Sequence, residues 1–330
     1  MPFQIIRSDI TKVSADVIVN TANPQPKIGR GTDSAIYSAA GADALLAARR
    51  EIGGIEPGQA AATPAFALPA KYIIHTVGPV WTDGCSGERD ILYACYENTL
   101  ALAENLKADS IAFPLIATGV YGFPKDEALN IALSAIGKFL LTHEMNVILV
   151  VFGSRTFELS SQIVGAIDEY IDEHQEHELL KSEYGGWEAA DFERWRRNAN
   201  RVHSAAVPQT LDQLLDDAGD TFQQRLFKLI DASGMDDVTV YKKANIDRKV
   251  FSSIRCKKDY KPSKKTAVAF SVALKLPMQD MLELLSCAGM TLSKSDKFDL
   301  IITYCVQNGI YDIFAINAIL FQYGQPLLGV

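Results

Sequence analysis

Near the start of the chain, amide and carboxylate side chains lie on both sides of a glycine-bearing loop. Residues 17–19, Val-Ile-Val, are typical of a buried strand, and a helix of small residues begins after the loop. Such a succession brings backbone N–H groups and the positive end of a helix dipole to one place. The sequence therefore predicts an anion site, most simply for phosphate. Its polar and glycine residues are Asn20, Asn23, Gly29, Gly31 and Asp33.

Asp33 has two interpretations at this stage. Aspartate is a favoured N-cap residue, and Asp33 stands at the predicted start of the helix. Alternatively, its carboxylate faces the ligand. A single Gly-x-Gly loop does not decide between them, because the pattern is common.

Four segments, in a fixed order, extend the pattern over about half of the chain. They read RSDIT at 7–11, ADVIVNTAN at 15–23 with GRGTDSAIY at 29–37 and AAG at 39–41, YIIHTVGP at 72–79, and FPLIATGVYGFP at 113–124. Together they resemble the signature of macrodomains, a family that binds ADP-ribose. The resemblance implies a three-layer α/β/α fold with a mixed sheet, no cofactor and no metal.

The resemblance also assigns roles to particular residues. Asp9 corresponds to the aspartate that accepts a hydrogen bond from the adenine amino group, and Asn23 to the asparagine that contacts the distal ribose. In hydrolysing members, the aspartate at the position of Asp33 positions or deprotonates water. Asn23 and Asp33 are thus the predicted catalytic residues. The predicted ligand-binding residues are Asp9, Ile10, Asn20, Gly29, Arg30, Gly31, Thr118, Gly119, Val120, Tyr121, Gly122 and Phe123.

Several of these positions carry a second interpretation or depart from the family pattern. Asn20 is expected mainly to bridge backbone groups at the end of its strand, and His75 to be a core or loop-bracing histidine. Tyr121 and Phe123 either pack on the ligand or belong to the core. Arg30 stands in what is usually a run of glycines. Tyr37 replaces the usual histidine.

Composition limits the remaining possibilities. A chain of 330 residues predicts two domains, and the net charge of −8 argues against non-specific coating of nucleic acid. No apolar run reaches the ~18 residues of a membrane span, and no secretory leader is evident, so a cytoplasmic protein without membrane contact is expected. Five scattered cysteines predict free thiols and no structural metal.

The chain divides into three predicted parts: 1–175, 176–219 and 220–330. The first alternates strands (3–6, 17–19, 72–76, 110–113, 147–152) with helices (33–40, 42–50, 91–106, 125–142, 159–173). The second is a linker or a short docked helix that contains Trp187, Phe192 and Trp195. Its histidines, His174 and His177, are predicted to be surface residues rather than a metal pair. The third is all-α, with helices at 222–233, 237–245, 248–257, 263–276, 278–288, 295–308 and 312–321.

Residues 226–276 resemble the phage-repressor type of helix-turn-helix, mostly at core-forming positions. Lysines and arginines cluster beside the predicted recognition helix, which suits phosphate contacts and makes DNA a candidate partner. The alternatives are a solvated basic face or one that docks on the acidic remainder. Helices after Met290 match no known pattern and would serve in dimerisation or partner binding. The predicted nucleic-acid contacts are Lys242, Lys243, Arg248, Lys249, Arg255, Lys257 and Lys258.

Three functions follow from these patterns. The first is an enzyme that removes mono-ADP-ribose from acidic side chains or deacetylates O-acetyl-ADP-ribose. The second is a non-catalytic reader of ADP-ribose or of an ADP-ribosylated protein. The third is a regulator in which ADP-ribose alters DNA binding by the C-terminal part.

Overall fold

A computed structural model describes residues 3–152, 163–172, 174, 219–257 and 260–329. Its first part is built on a six-stranded sheet with the strand order β1-β6-β5-β2-β4-β3. Only the β3–β4 pair is antiparallel, so the sheet is mixed, as predicted. The strands are β1 (Phe3–Arg7), β2 (Val17–Thr21), β3 (Ala60–Pro64), β4 (Tyr72–Thr76), β5 (Ser110–Pro114) and β6 (Asn146–Val151).

Alternation along the strands gives the sheet two apolar faces. In β2, Val17 and Val19 belong to one hydrophobic cluster, whereas Ile18 belongs to the other. Because successive side chains of a strand point to opposite faces, each face needs its own cover of helices. Buried runs of branched residues are typical of parallel strands for the same reason.

Helices cover both faces. On one side lie α1 (Thr32–Ala40) and α2 (Ala42–Ile52), with Ile36 and Leu45 packed against Ile18 and its neighbours. On the other lie α3 (Glu88–Asn105) and α4 (Lys125–Thr142), which contribute Leu92 and Ile136 to the larger cluster. The predicted three-layer α/β/α arrangement is therefore present.

The five predicted strands are confirmed within one or two residues, but the sequence missed β3. Its residues 60–62 are alanines, which have little strand preference, and only pairing with β4 makes them a strand. The prediction was also wrong at Phe152, because β6 ends at Val151. Of the helix predicted at 159–173, residues 163–172 are described and are helical. In it, Ile167 and Ile171 are buried, whereas Ile163 is 40% exposed.

The described C-terminal residues form helices and no strands, in agreement with the predicted all-α part. Local signals locate their ends: the Ser263 side chain accepts a hydrogen bond from the backbone N–H of Thr266, and Gly234 ends a helix with φ of 69°. The helices are α5 (Phe222–Ser233), α6 (Asp237–Lys243), α7 (Arg248–Cys256), α8 (Lys264–Ala273), α9 (Met278–Ser286), α10 (Lys297–Gln307) and α11 (Ile313–Gln322).

These helices pack against α4 and against β1, which is an edge strand of the sheet. Asn245, in the turn between α6 and α7, accepts a hydrogen bond from the Phe3 N–H (2.6 Å) and donates one to the Phe3 carbonyl (3.0 Å). Phe314 of α11 packs on the ring of Phe3, with 5.4 Å between ring centroids, and Tyr241 donates to the Glu144 carboxylate. The Asn245 amide thus pairs with the strand edge much as a neighbouring strand would.

Several sequence predictions lie outside the described residues. They include His177, Trp187, Phe192, Trp195 and nearly all of the predicted linker, so the division at 175 and 219 stays a prediction. His174 is described, and its ring Nδ1 lies 2.8 Å from the Tyr170 carbonyl oxygen. No helix among the described residues is long and apolar enough to cross a membrane. In the same residues, no group of three or more His, Cys, Asp or Glu side chains is placed to hold a metal ion.

Candidate functional site

An open cavity of about 880 Å³ lies at the carboxyl ends of four neighbouring parallel strands. Residues that follow or end β1, β6, β5 and β2 form its floor, and the loops before α1 and α4 form its walls. Ligands of open α/β sheets bind at this end of the strands. The volume suits a ligand of nucleotide size.

Asp33 lies in the first turn of α1 with its side chain turned into the protein. It is 3% exposed, its Oδ1 accepts from the Asn20 amide (2.7 Å) and its Oδ2 accepts from the Gly29 N–H (2.5 Å). Gly31, not Asp33, is the N-cap residue, so the capping interpretation of Asp33 is wrong. Burial raises the pKa of the carboxyl, and the two hydrogen bonds and the charge of Arg49 oppose that rise.

Asn20 links Asp33 to a buried histidine, and the expectation that it bridges backbone groups is wrong. Its Nδ2 donates to Asp33 and lies 3.1 Å from Nδ1 of His75. Since an amide nitrogen only donates, Nδ1 accepts, and the proton is on Nε2, 3.0 Å from the Thr63 hydroxyl. Burial, helped by Arg49, lowers the pKa of His75 to about 3, so the ring is neutral and braces the core.

Gly29 lies where the side chains of Asn23 and Asp33 meet. A Cβ atom at residue 29 would lie 2.6 Å from Asn23 Nδ2 and 3.0 Å from Asp33 Oδ2. No other residue type fits without moving one of them. The absence of a side chain at position 29 is therefore what leaves room for both predicted catalytic side chains at this point of the cavity wall.

The loop before α1 presents backbone donors to the cavity. Gly31 has φ of 64°, a conformation that favours glycine. Among the described residues, the N–H groups of Arg30, Gly31 and Thr32 have no hydrogen-bond partner. The N–H of Gly29 is different, because it donates to Asp33 and is not available to a ligand, contrary to the expectation from the sequence.

The second loop, between β5 and α4, also contains both bonded and unbonded backbone N–H groups. The N–H groups of residues 118–121 have no partner within the described part of the chain. By contrast, Gly122 N–H donates to the Gly119 carbonyl, so it is not a free donor. Phe123 is buried against the ring of Trp81, and the backbone N–H of Trp81 donates to the Tyr121 carbonyl (2.9 Å).

Charged side chains are distributed unevenly around the cavity. Asp9 accepts from the N–H and the hydroxyl of Thr11, chiefly the latter, and these bonds lower its pKa and keep it a carboxylate. Three cations, Lys27, Arg30 and Lys125, also line the cavity. An anionic ligand would find more positive than negative groups near its phosphates.

Most of the predicted site residues come together here. Asn20, Gly122 and Phe123 are not part of the cavity lining. The sequence missed Lys27, Lys125 and Phe152, which is 74% exposed and lines the cavity beyond β6. Its position after a strand of branched residues gave no signal of this role. The predicted residues that line the cavity are Asp9, Ile10, Asn23, Gly29, Arg30, Gly31, Asp33, Thr118, Gly119, Val120 and Tyr121.

The predicted nucleic-acid residues lie apart from this cavity, on and around α6 and α7. Lys242 and Lys243 are half-buried, and Lys243 donates to the sulfur of Met235. Arg255 is exposed but forms an ion pair with Asp237. Arg248, Lys249 and Lys257 are exposed. Lys258 lies outside the described residues.

Comparison with known proteins agrees with this geometry. The model of the Macro domain family matches residues 19–132. A macro domain-containing protein of Methanosarcina mazei is 47% identical over 142 residues, which cover 43% of this chain and 75% of the relative. The chain belongs to the macrodomain family. Since the family model ends at residue 132, it does not assign the C-terminal helices.

Two further macrodomain relatives have descriptions that name a ligand or a reaction. The O-acetyl-ADP-ribose deacetylase of Cronobacter sakazakii is 42% identical over 171 residues, covering 50% of this chain and 94% of the enzyme. The macrodomain of Oceanobacillus iheyensis, solved with ADP, is 41% identical and covers 46% of this chain and 84% of that one, with a TM-score of 0.44.

Proposed function

We propose that this macrodomain protein binds ADP-ribose in the cavity and hydrolyses esters at its distal ribose. Such esters are O-acetyl-ADP-ribose and ADP-ribose attached to acidic side chains. The observation that carries the proposal is the convergence of the Asn23 amide and the Asp33 carboxylate across Gly29, at the wall of a cavity of nucleotide size. Relatives named O-acetyl-ADP-ribose deacetylase support the same reaction.

The cavity offers a separate group for each part of ADP-ribose. The diphosphate would accept hydrogen bonds from the unpartnered N–H groups of residues 30–32 and 118–121, near the N-terminus of α1. Adenine would donate to Asp9, and the exposed ring of Phe152 offers an apolar surface nearby. Asn23 would hydrogen-bond the distal ribose, which brings the ester beside Asp33.

Hydrolysis requires a water held beside the ester and a group that takes its proton. Each oxygen of Asp33 accepts one hydrogen bond from the protein, so a lone pair of each remains for a water. Burial raises the pKa of this carboxyl and makes it a stronger base than an exposed aspartate. Water then attacks the ester carbonyl and its proton passes to Asp33. The acyl C–O bond breaks as this proton passes from Asp33 to the ribose oxygen, which releases the acid and ADP-ribose and restores the carboxylate.

The test is release of ADP-ribose from a protein modified on Glu or Asp, and of acetate from O-acetyl-ADP-ribose, with calorimetric ADP-ribose binding in parallel. We expect Asp33→Ala to lose turnover and keep binding, while Asp43→Ala, at an exposed acid of α2, changes neither. Tight binding without turnover in the wild type would reject the enzyme and leave a reader of ADP-ribose.

We propose a second function for the C-terminal part, binding of duplex DNA by the basic face of α7. Phe251 and Ile254 are buried, so α7 presents Arg248 and Lys249 to solvent after a short turn from α6, and the exposed Lys257 follows its last residue. This arrangement is typical of a recognition helix that contacts phosphates.

Fluorescence anisotropy with a short duplex tests this second function. Binding should weaken between about 50 and about 200 mM salt, and the double variant Arg248→Gln/Lys249→Gln should lower the salt slope by about 2. Lys294→Gln, at an exposed lysine elsewhere, is the control. Equal affinity in all three proteins would reject the interface, and a change on adding ADP-ribose would support the regulator.

A further inference from the structure

Arg49 is a buried cation that neither the sequence nor the proposed reaction has used so far. It belongs to the last turn of α2 and is 1% exposed, whereas its neighbour Arg50 faces solvent. Its guanidinium donates to the Gly53 carbonyl (2.9 Å) and to the Asn23 carbonyl (3.3 Å), and Tyr37 favours its charged form. It therefore ties the end of α2 to the loop that carries Asn23.

A guanidinium without water around it needs a compensating negative charge. Among the described residues, no carboxylate forms a direct ion pair with Arg49. The negative charge that acts on Arg49 is that of Asp33. Asp33 and Tyr37 both favour the charged form of the guanidinium. Conversely, Arg49 favours the charged form of Asp33.

The other titratable groups that face Asp33 do not supply positive charge from inside the protein. His75, linked to Asp33 through Asn20, is neutral. Tyr37 and Tyr121 stay protonated, since burial and the Asp33 charge raise the pKa of both hydroxyls. Arg30, on the cavity rim, is exposed and screened by solvent. Arg49 is the buried cation of this group.

We propose that Arg49, supported by Tyr37, is a positioning residue of the hydrolytic site. Its hydrogen bond to the Asn23 carbonyl fixes the backbone of Asn23, and its charge opposes the effect of burial on Asp33. The inference rests on the proposed hydrolase function.

The pH dependence of kcat/KM separates this role from a merely structural one. Arg49→Met removes the charge that opposes the raised pKa of Asp33, so we expect the acid limb of the profile to move to higher pH. Arg49→Lys keeps the charge but not the forked hydrogen bonds, and should keep the limb while kcat falls. Tyr37→Phe should move the limb less than Arg49→Met. Arg50→Met is the matched control and should leave the profile unchanged.

A direct titration of the Asp33 carboxyl by carbon-detected NMR, in the wild type and each variant, completes the test. If the wild type shows no turnover but Arg49→Met still raises the pKa of Asp33, the hydrolase fails and the role of Arg49 stands. If turnover is present and neither the acid limb nor the pKa moves in folded variants, the inference is wrong. Should Arg49→Met not fold, Arg49→Lys and Tyr37→Phe decide, because both change the surroundings of Asn23 or Arg49 while retaining the positive charge. A wild-type kcat in both would overturn the proposal.

Discussion

Replacing Gly29 with alanine tests whether the placement of Asn23 and Asp33 on either side of residue 29 is what makes the site work. The added Cβ would lie 2.6 Å from Asn23 Nδ2, whereas ordinary contacts of this kind begin at 3.4 Å, so the amide must move by about 0.8 Å. Gly29 does not have a left-handed φ, so alanine is not strained by its own backbone. The substitution therefore displaces Asn23 and also crowds the Asp33 carboxylate, whose Oδ2 would lie 3.0 Å from the added Cβ.

A displacement approaching 1 Å at reacting groups costs on the order of 100-fold in rate. We therefore expect kcat/KM for O-acetyl-ADP-ribose to fall by about 100-fold, or about 2.7 kcal/mol of transition-state stabilisation. The melting temperature should change little, since residue 29 lies in a surface loop rather than in the core.

The control is Gly54→Ala, whose added Cβ would make only ordinary contacts, at 3.7 Å and 3.9 Å, with Gln25 and Pro24. It should retain wild-type kinetics. If Gly29→Ala keeps kcat/KM within about threefold of the wild type while the wild type is active, the arrangement of Asn23 and Asp33 around residue 29 is not needed for the reaction.

Three further predictions concern stability. Glu88 accepts hydrogen bonds from the loop before α3, chiefly from Thr82, and these bonds lower its pKa to about 2. Glu88→Gln should therefore lower the melting temperature at pH 7. Thermal denaturation at several pH values should show this loss shrink as the pH falls from about 4.5 to about 2. Asn245→Ala leaves the backbone N–H and C=O of Phe3 unpaired and should cost about 1–3 kcal/mol in urea denaturation. Because residue 245 has φ of 55°, Asn245→Gly loses the same hydrogen bonds without the backbone strain of alanine and so separates the two effects. Phe314→Ala should cost about 3–5 kcal/mol, since that ring fills the space between Phe3 and Gly137, and an unchanged urea midpoint would contradict this packing.

Local patterns predicted the elements whose causes are local. Ser263 caps its helix through a side chain three residues from its partner, and Gly234 and Gly41 end helices through their own φ. Strands rich in branched residues, such as β2, could be predicted from the sequence equally well. Strand β3 could not be predicted, because its alanines become a strand only by pairing with β4 residues that lie 12 to 16 positions away in the sequence.

The site shows the same limit at the level of side chains. Motif order located Asn23 and Asp33, but not that Asn20 would turn from the strand end toward Asp33 and His75. Arg49 and Arg50 are adjacent and chemically identical, and both read as solvent-facing residues at the end of a helix. Only the packing of α2 against the loop at Asn23 buries one and exposes the other.

The pairing of Asn245 with Phe3 has a consequence for how this chain can be divided. A strand at the margin of a sheet offers unpaired N–H and C=O groups to any other extended segment. In the intact protein the Asn245 amide occupies those of Phe3, and Phe314 covers the ring beside them. A fragment that stops after β6 would expose both the backbone groups and the ring of Phe3. Its edge strand β1 would then be able to pair with the edge strand of another copy. The C-terminal helices thus cover this edge of the sheet and protect it from self-association.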